Sequence, residues 1–223
     1  MDLNIVSIRE VNQHLHDLVG QNDDAITIAH PNGKHALAVG MTAAANVQID
    51  GHVGYYCAGM NKLARVTING NAGPAVAENM MSGLVRVKGN ASQYAGASAH
   101  GGMLVIEGNA SARCGISMKG VDIVVGGSVG HMSAFMAQAG NLVVCGDAGH
   151  HLGDSIYEAR LFVRGDVDSN GADCIEKEMR PEHLELLKEL LTKAKIDTNP
   201  NDFKRYGSAR KLYNFNVDHA DSY

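Results

Sequence analysis

The sequence contains no Trp, only 4 Pro and 5% aromatic residues in 223 positions. It contains 26 Gly, and 45% of its residues are hydrophobic, which is enough to build a core. Such a chain turns often and packs small side chains, unlike an ordinary doubly wound enzyme fold. The composition therefore disfavours that class of enzyme.

Paired cysteines and clustered basic residues are also missing. The four cysteines form no C-x-x-C pair, which argues against a zinc knuckle or an iron–sulfur motif in this chain. They are Cys57, Cys114, Cys145 and Cys174. With 19 basic and 24 acidic residues the net charge is −5, and no Lys/Arg stripe could follow a phosphate backbone. We therefore expect reduced thiols and no nucleic-acid partner.

The N-terminus lacks the long apolar segment of a signal peptide or a membrane span. Its first residues include Asp2 and Glu10, and no long apolar run separates them. We therefore expect a cytoplasmic protein with no membrane partner.

The sequence does contain a repeat of 19 residues, and one glycine marks each copy. Large aliphatic residues stand four and two positions before every marking glycine, and Val or Ala stands two positions after it. Because side chains alternate along a strand, these three positions point inward and the variable positions −3 and −1 point outward. Each copy therefore contains one short strand. The marking glycines are Gly51, Gly70, Gly89, Gly108, Gly127, Gly146 and Gly165.

The return path between successive strands shows no helical periodicity. A strand of about five residues leaves about 14 residues per copy, and these contain no i, i+3, i+4 apolar stripe. This excludes a leucine-rich or ankyrin-type array. We therefore predict an all-β fold, a single-stranded right-handed parallel β-helix with 19-residue turns stacked ~4.8 Å apart, flanked by N- and C-terminal helices.

The residue after the glycine predicts a ladder at one corner of the coil. In six copies it is Asn, Ser or Asp, whose side chain can hydrogen-bond to the backbone or to the same residue one turn away. The glycine itself is expected to adopt a φ that residues with a Cβ avoid.

The N-terminal segment, residues 1–42, is predicted to be a helix and strand that cap the coil. Ser7 and Glu10 form the S-x-x-E pattern of a capping box, which begins a helix through about Leu18. Residues 25–30 are expected to form a strand. The β-helix of seven repeats is assigned to residues 43–168.

The C-terminal segment, residues 169–223, is predicted to be a helix followed by a partner-docking aromatic tail. Arg180 and Pro181 begin the helix, which continues to about Lys195 with leucines at 184, 187 and 191 on one face. The last stretch is expected to be irregular and docked on a surface, because it is rich in aromatic residues. These are Phe203, Tyr206, Tyr213, Phe215 and Tyr223.

Candidate chemistry is sparse. His131 and His150 occupy equivalent positions and His151 follows, but exposed surface is the favoured interpretation because no ligand completes a metal site. Cys57 and Cys114 are expected in the core, three turns apart. The G-x-x-G sequences open no helix, so they are interpreted as corners rather than phosphate loops. We predict no catalytic, cofactor-binding or metal-binding residue in this chain.

The repeated pattern resembles the GXGXG β-helix domain of the glutamate synthase large subunit. It appears as VTINGNAG (66–73), VRVKGNAS (85–92), LVIEGNAS (104–111) and LVVCGDAG (142–149). With the ending FKRYGSARKLYNF (203–215), the chain is most similar to the stand-alone β-helix subunit of N-methylglutamate synthase, or methylamine–glutamate N-methyltransferase.

This resemblance implies a non-catalytic scaffold subunit in a hetero-oligomeric complex. The implied partners are an amidotransferase-like subunit and a synthase-like subunit that carries FMN and iron–sulfur clusters, with no cofactor in this chain. The implied reaction converts methylamine and glutamate to N-methylglutamate and ammonia. The turns at residues 55–60 and 150–151 are expected contact regions.

Two other interpretations stay open. Related β-helices occur as scaffold subunits of formylmethanofuran dehydrogenase and of the formyltransferase/hydrolase complex, and the chain could also be a structural homo-oligomer. A self-contained acyltransferase or carbohydrate-binding β-helix fits poorly, because the period is 19 rather than six and exposed aromatic stripes are missing from the repeats.

Overall fold

The computed structural model describes residues 1–18 and 25–210, which form a parallel β-solenoid with two α-helices packed against it. Strands β1 to β8 pair in parallel in chain order, and β10 joins β8 and β9 in antiparallel pairing. The predicted parallel coil of 19-residue turns is confirmed. The elements are α1 (Ile8–His16), β1 (Ile26–Ala29), β2 (Asn46–Asp50), β3 (Arg65–Ile68), β4 (Leu84–Val87), β5 (Met103–Ile106), β6 (Lys119–Val125), β7 (Ala139–Val144), β8 (Arg160–Val163), β9 (Cys174–Lys177), α2 (Pro181–Ala194), a 3₁₀ helix (Pro200–Asp202) and β10 (Lys204–Ser208).

The register of the sheet stacks equivalent residues of successive turns. Val66 of β3 pairs with Val47 of β2 on one side and with Val85 of β4 on the other. A second ladder of bridges joins the residues two positions after each glycine, as between Val53 and Ala72. The side chains of both sets are buried, except for the partly buried Val167 at the end of the second ladder, so the predicted inward positions are confirmed.

The corner ladder is a chain of hydrogen bonds from backbone to side chain. The side chain after each glycine accepts from the backbone N–H of the equivalent residue in the next turn, and each bond spans 19 residues. Donor–acceptor distances of 2.8–2.9 Å recur without a break along seven turns. This predicted ladder is confirmed. Its members are His52, Asn71, Asn90, Asn109, Ser128, Asp147 and Asp166.

The role predicted for the marking glycines is wrong. Among the seven, only Gly51 has a φ in the positive region, so an unusual φ is not the general requirement. The requirement is space, because a Cβ at Gly70 would lie 2.6 Å from the carbonyl oxygen of Gly51 in the turn before. At Gly127 it would overlap with the side-chain oxygen of Asn109. Glycine at this position therefore leaves the space that the backbone and the ladder side chain of the preceding turn occupy.

The return path is made of tight turns, and in the first six repeats three left-handed positions lie five, seven and nine residues after the glycine. In the first repeat these are Tyr56, Ala58 and Met60, with φ of 60°, 55° and 54°. The left-handed conformation is costly for residues with a Cβ. Hydrogen bonds to neighbouring turns stabilise it, since Tyr56 N–H donates to Pro74 O at 2.9 Å and Ala58 N–H to Leu37 O at 2.9 Å.

The N-terminal segment adds one more turn to the coil. Strand β1 pairs in parallel with β2, but Ile26 pairs with Val47, a spacing of 21 residues that the 19-residue pattern does not detect. Helix α1 begins at the predicted capping box of Ser7 and Glu10 and buries Val11 and Leu15. It covers the end of the coil.

The C-terminal end of the coil is closed by antiparallel strands, one of which was not predicted from the sequence. Residues 202–223 were expected to be irregular, but β10 lies within them and pairs with the free edge of β8. Its Tyr206 and the preceding Phe203 are each 5% exposed. The other three tail aromatics, at 213, 215 and 223, lie outside the described residues. In residues 1–18 and 25–210, no helix is long and apolar enough to cross a membrane.

Candidate interaction surface

The outward face of the sheet changes character along the coil. Three positions before the glycine stand Gln48, Thr67 and Arg86 in the early turns, whereas later turns have apolar residues there. The prediction that this position varies freely is wrong for the later turns. Helix α2 covers them, so they form a second buried cluster outside the coil. The apolar residues are Val105, Val124, Val143 and Phe162.

Helix α2 packs on this face and ends at the turn of Arg86. It begins and ends near the predicted residues, but its buried face consists of Leu187, Leu190, Leu191 and Ala194, while Leu184 is only half-buried. The Arg86 guanidinium donates to the carbonyl oxygen of Ala194 at 2.6 Å. It also pairs with Glu107 at 2.8 Å. Arg86 therefore fixes where the covered half of the face ends.

Exposed apolar side chains cluster in the turns that precede β3 and β4. Met60, Leu63 and Met81 are 47%, 49% and 47% exposed, and we call these three residues the apolar corner. They lie on adjacent turns, since Met81 N–H donates to Asn61 O at 2.7 Å. Tyr55, in the same early turns, is 51% exposed.

A shallow cavity borders the apolar corner. It has a volume of about 360 Å³ and lies where α2 ends, so that sheet and helix residues both line it. The lining is mainly apolar, with Arg65 and Lys193 as its charged members. The apolar corner and this cavity form a continuous surface that a partner could cover. The lining residues are Leu63, Arg65, Gly83, Leu84, Met103 and Lys193.

The three histidines considered as metal ligands are all exposed. The rings of His150 and His151 are 6.3 Å apart, and His150 Nε2 lies 3.9 Å from a carboxylate oxygen of Asp168. Across the residues that the structure describes, no group of three His, Cys, Asp or Glu side chains could hold a metal ion.

The cysteines are buried, free thiols. Cys57 and Cys114 are fully buried inside the coil, so their prediction as core residues is confirmed. Burial raises the pKa of both thiols to about 12, which keeps them protonated at neutral pH. They are therefore unsuited to act as nucleophiles.

One polar pocket was not predicted from the sequence. It lies at the C-terminal end, where β8, β9 and β10 meet, and it contains Arg160, Lys177, Arg205 and Arg210. These residues are spread over 51 positions, from 160 to 210. The antiparallel return of β10 brings them together, and no short sequence motif signals that arrangement.

The fold and its surfaces define a parallel β-solenoid protein whose outer sheet face is half covered by its own helix. Protein GlxC of Rhizobium meliloti (strain 1021) is 64% identical over 225 residues, covering 100% of this chain and 99% of that protein. The chain belongs to the family of protein GlxC. No family model and no solved structure matches the chain.

Proposed function

We propose that this chain is a non-catalytic scaffold subunit of a glutamate synthase-like complex in the cytoplasm. The complex would be an N-methylglutamate synthase, which converts methylamine and glutamate to N-methylglutamate and ammonia. The chain would join an amidotransferase-like subunit to a synthase-like subunit that carries FMN and iron–sulfur clusters. The repeat's resemblance to the GXGXG domain supports this assignment, and the similarity to protein GlxC is consistent with a glutamate synthase-like relation.

The apolar corner is the observation that carries the scaffold role. A rigid coil with continuous hydrogen-bond ladders holds its surface residues at fixed separations. The apolar outward residues of the later turns are covered by α2, whereas Met60, Leu63 and Met81 are left about half exposed. A cluster of exposed apolar side chains, unlike a single one, supports a protein contact at this surface.

The apolar corner contributes enough energy to be tested. Completing the burial of one such half-exposed side chain is worth about 1 kcal/mol, since full burial gives about 1.5–3 kcal/mol. Three side chains therefore contribute about 3 kcal/mol, which corresponds to about a hundredfold in Kd.

The test is copurification from the native source with a tagged chain at its natural level. The expected product is a yellow-brown complex with flavin and iron–sulfur absorption that forms N-methylglutamate from methylamine and glutamate. The triple variant Met60→Ser, Leu63→Ser, Met81→Gln introduces residues that stand at the same repeat positions in other turns. We expect it to bind its partners about a hundredfold more weakly.

A matched control is Met136→Ser. Met136 occupies the repeat position of Met60, has a similar φ of 51° and is 39% exposed, but it lies four turns away from the apolar corner. Equal loss of partners in the triple variant and this control would contradict the assignment of the surface. Copurification of molybdenum- or tungsten-containing subunits would favour a formyl-transfer complex, and a colourless homo-oligomer would favour a structural role.

A further inference from the structure

The C-terminal polar pocket is bordered by three strands. Arg160 begins β8, Lys177 ends β9, and Arg205 lies on β10, which pairs with both other strands. The cavity has a volume of about 140 Å³, and the side chains of Tyr157 and Ser208 add hydroxyl groups to its lining. A space of this size accommodates a small molecule or a single acidic group rather than a strand or helix of a partner.

The positive charges in this pocket exceed the negative ones. Four basic residues line it, against one carboxylate, that of Glu158. Within the described residues, no ion pair involves Arg160 or Lys177, and the Arg205 Nε donates at 2.9 Å to the backbone carbonyl of Glu178 rather than to a carboxylate. This excess stands out in a chain whose net charge is −5.

One of the four cations already has a carboxylate partner. Arg210 forms an ion pair with Asp173, which is not among the residues that line the pocket. A ligand would therefore be held mainly by Arg160, Lys177 and Arg205, one from each of the three strands.

The electrostatics agree with the geometry. Burial lowers the pKa of Arg205, and the nearby charges of Arg180 and Arg160 lower it further, while Glu182 and Glu178 act in the opposite direction. Burial also lowers the pKa of His183 on α2, with Arg205 as the next cause. A bound anion would stabilise cations that repel one another in this way.

We propose that this pocket binds a small anion that carries a carboxylate or phosphate group. Guanidinium groups offer paired donors that match the two oxygens of such a group, and the ammonium of Lys177 adds a third cation. The inference rests on the pocket alone and holds whether or not the complex makes N-methylglutamate. The alternative source of the same chemistry is an acidic side chain of a partner subunit.

The test is titration calorimetry of the full-length chain with inorganic phosphate and with glutamate, each at constant ionic strength in chloride. We expect saturable binding of at least one anion and none of methylammonium chloride. Arg160→Gln removes a charge-assisted hydrogen bond and should weaken binding about tenfold or more. Arg160 is exposed and makes no side-chain hydrogen bond or ion pair in the described residues, so this variant should fold, which circular dichroism verifies.

The matched control is Arg9→Gln, which removes an exposed arginine from α1 at the other end of the coil. It should leave anion binding unchanged. Lys177→Gln should weaken binding as Arg160→Gln does. Three results would overturn the proposal: no saturable binding of either anion, equal weakening by Arg9→Gln, or loss of a partner subunit from Arg160→Gln in a complex that binds no free anion. The last result would assign the pocket to a partner's carboxylate.

Discussion

The corner of the coil allows a prediction of which glycines tolerate a methyl group. At Gly127 an added Cβ overlaps with the side-chain oxygen of Asn109 and lies 3.0 Å from the carbonyl oxygen of Gly108. The first neighbour is the end of a side chain and can rotate away. At Gly70 the nearest atoms are the backbone of Gly51, 2.6 Å away, which cannot move without shifting the turn.

The expected costs follow from these neighbours. Rotating Asn109 away in Gly127→Ala breaks its bond with the Ser128 N–H, made at 2.8 Å. We therefore expect a loss of about 1–2 kcal/mol in the free energy of unfolding, the worth of one hydrogen bond plus a tight contact. Gly70→Ala overpacks the backbone itself and should cost about 3 kcal/mol, the upper part of the range for added methyl groups.

The assay is urea unfolding followed by circular dichroism for a double-mutant cycle. Asn109→Ala alone should cost about 1 kcal/mol, because the bond to Ser128 is lost. In Gly127→Ala/Asn109→Ala the same bond is lost once, so the double variant should be more stable than the sum of the single variants by about 1 kcal/mol. Because turns of a repeat protein can unfold separately, a second probe must give the same midpoint.

Additive costs in this cycle would refute the argument. Additivity would mean that Asn109 does not move in Gly127→Ala, and that the clash is relieved elsewhere. A cost for Gly70→Ala no larger than that for Gly127→Ala would also contradict it, because then the backbone would yield as easily as a side chain.

Two further predictions concern the covered sheet face. Burial raises the pKa of Asp122, so the folded state holds the carboxyl proton more tightly than the unfolded state does. The stability that comes from this proton is fully present below the ordinary pKa of 3.8. It is lost as the pH rises through the raised pKa. Asp122→Asn should therefore stabilise the protein at neutral pH and not in acid, measured by urea unfolding across pH. Arg86→Gln should lower the free energy of unfolding by about 1–2 kcal/mol, because it removes charge-assisted bonds to Glu107 and to the end of α2, whereas the exposed Arg65→Gln should change it little.

The coil could be predicted from the sequence because the aliphatic residues that stabilise its core recur with a fixed period. Every turn repeats the same inward aliphatics, so Val47, Val66 and Val85 report the same environment. The reason for the glycines could not be predicted in the same way. A glycine required for space and a glycine required for φ look the same in a sequence, and the neighbours one turn away decide between them.

Helix α2, which covers part of the sheet, does have a signal in the sequence. The change from Arg86 to Val105 at one outward position marks the turn where α2 begins to cover the sheet. Strand β10 has no such signal, because its sequence KRYGS is short and polar. The segment forms a strand by pairing with β8. The basic pocket depends on that strand, so it too was beyond prediction.

The candidate contact surface could be anticipated in part. Residues 55–60 were an expected contact region, and the structure leaves Tyr55 and Met60 exposed there. Leu63 and Met81 were not singled out, because their repeat positions are filled by residues of many kinds. Of the two, only Leu63 lines the cavity at the end of α2, and that proximity depends on tertiary structure.

The hydrogen bonds of the corner ladder all run in the same direction along the chain, and this affects how the protein folds during synthesis. Each ladder side chain from Asn71 to Asp147 accepts from a backbone N–H that lies 19 residues later in the chain. The acceptor therefore leaves the ribosome before its donor does. At this corner a folded turn presents the acceptors to which the next turn binds. The coil can therefore fold turn by turn from its N-terminus during synthesis, before its C-terminal end is made.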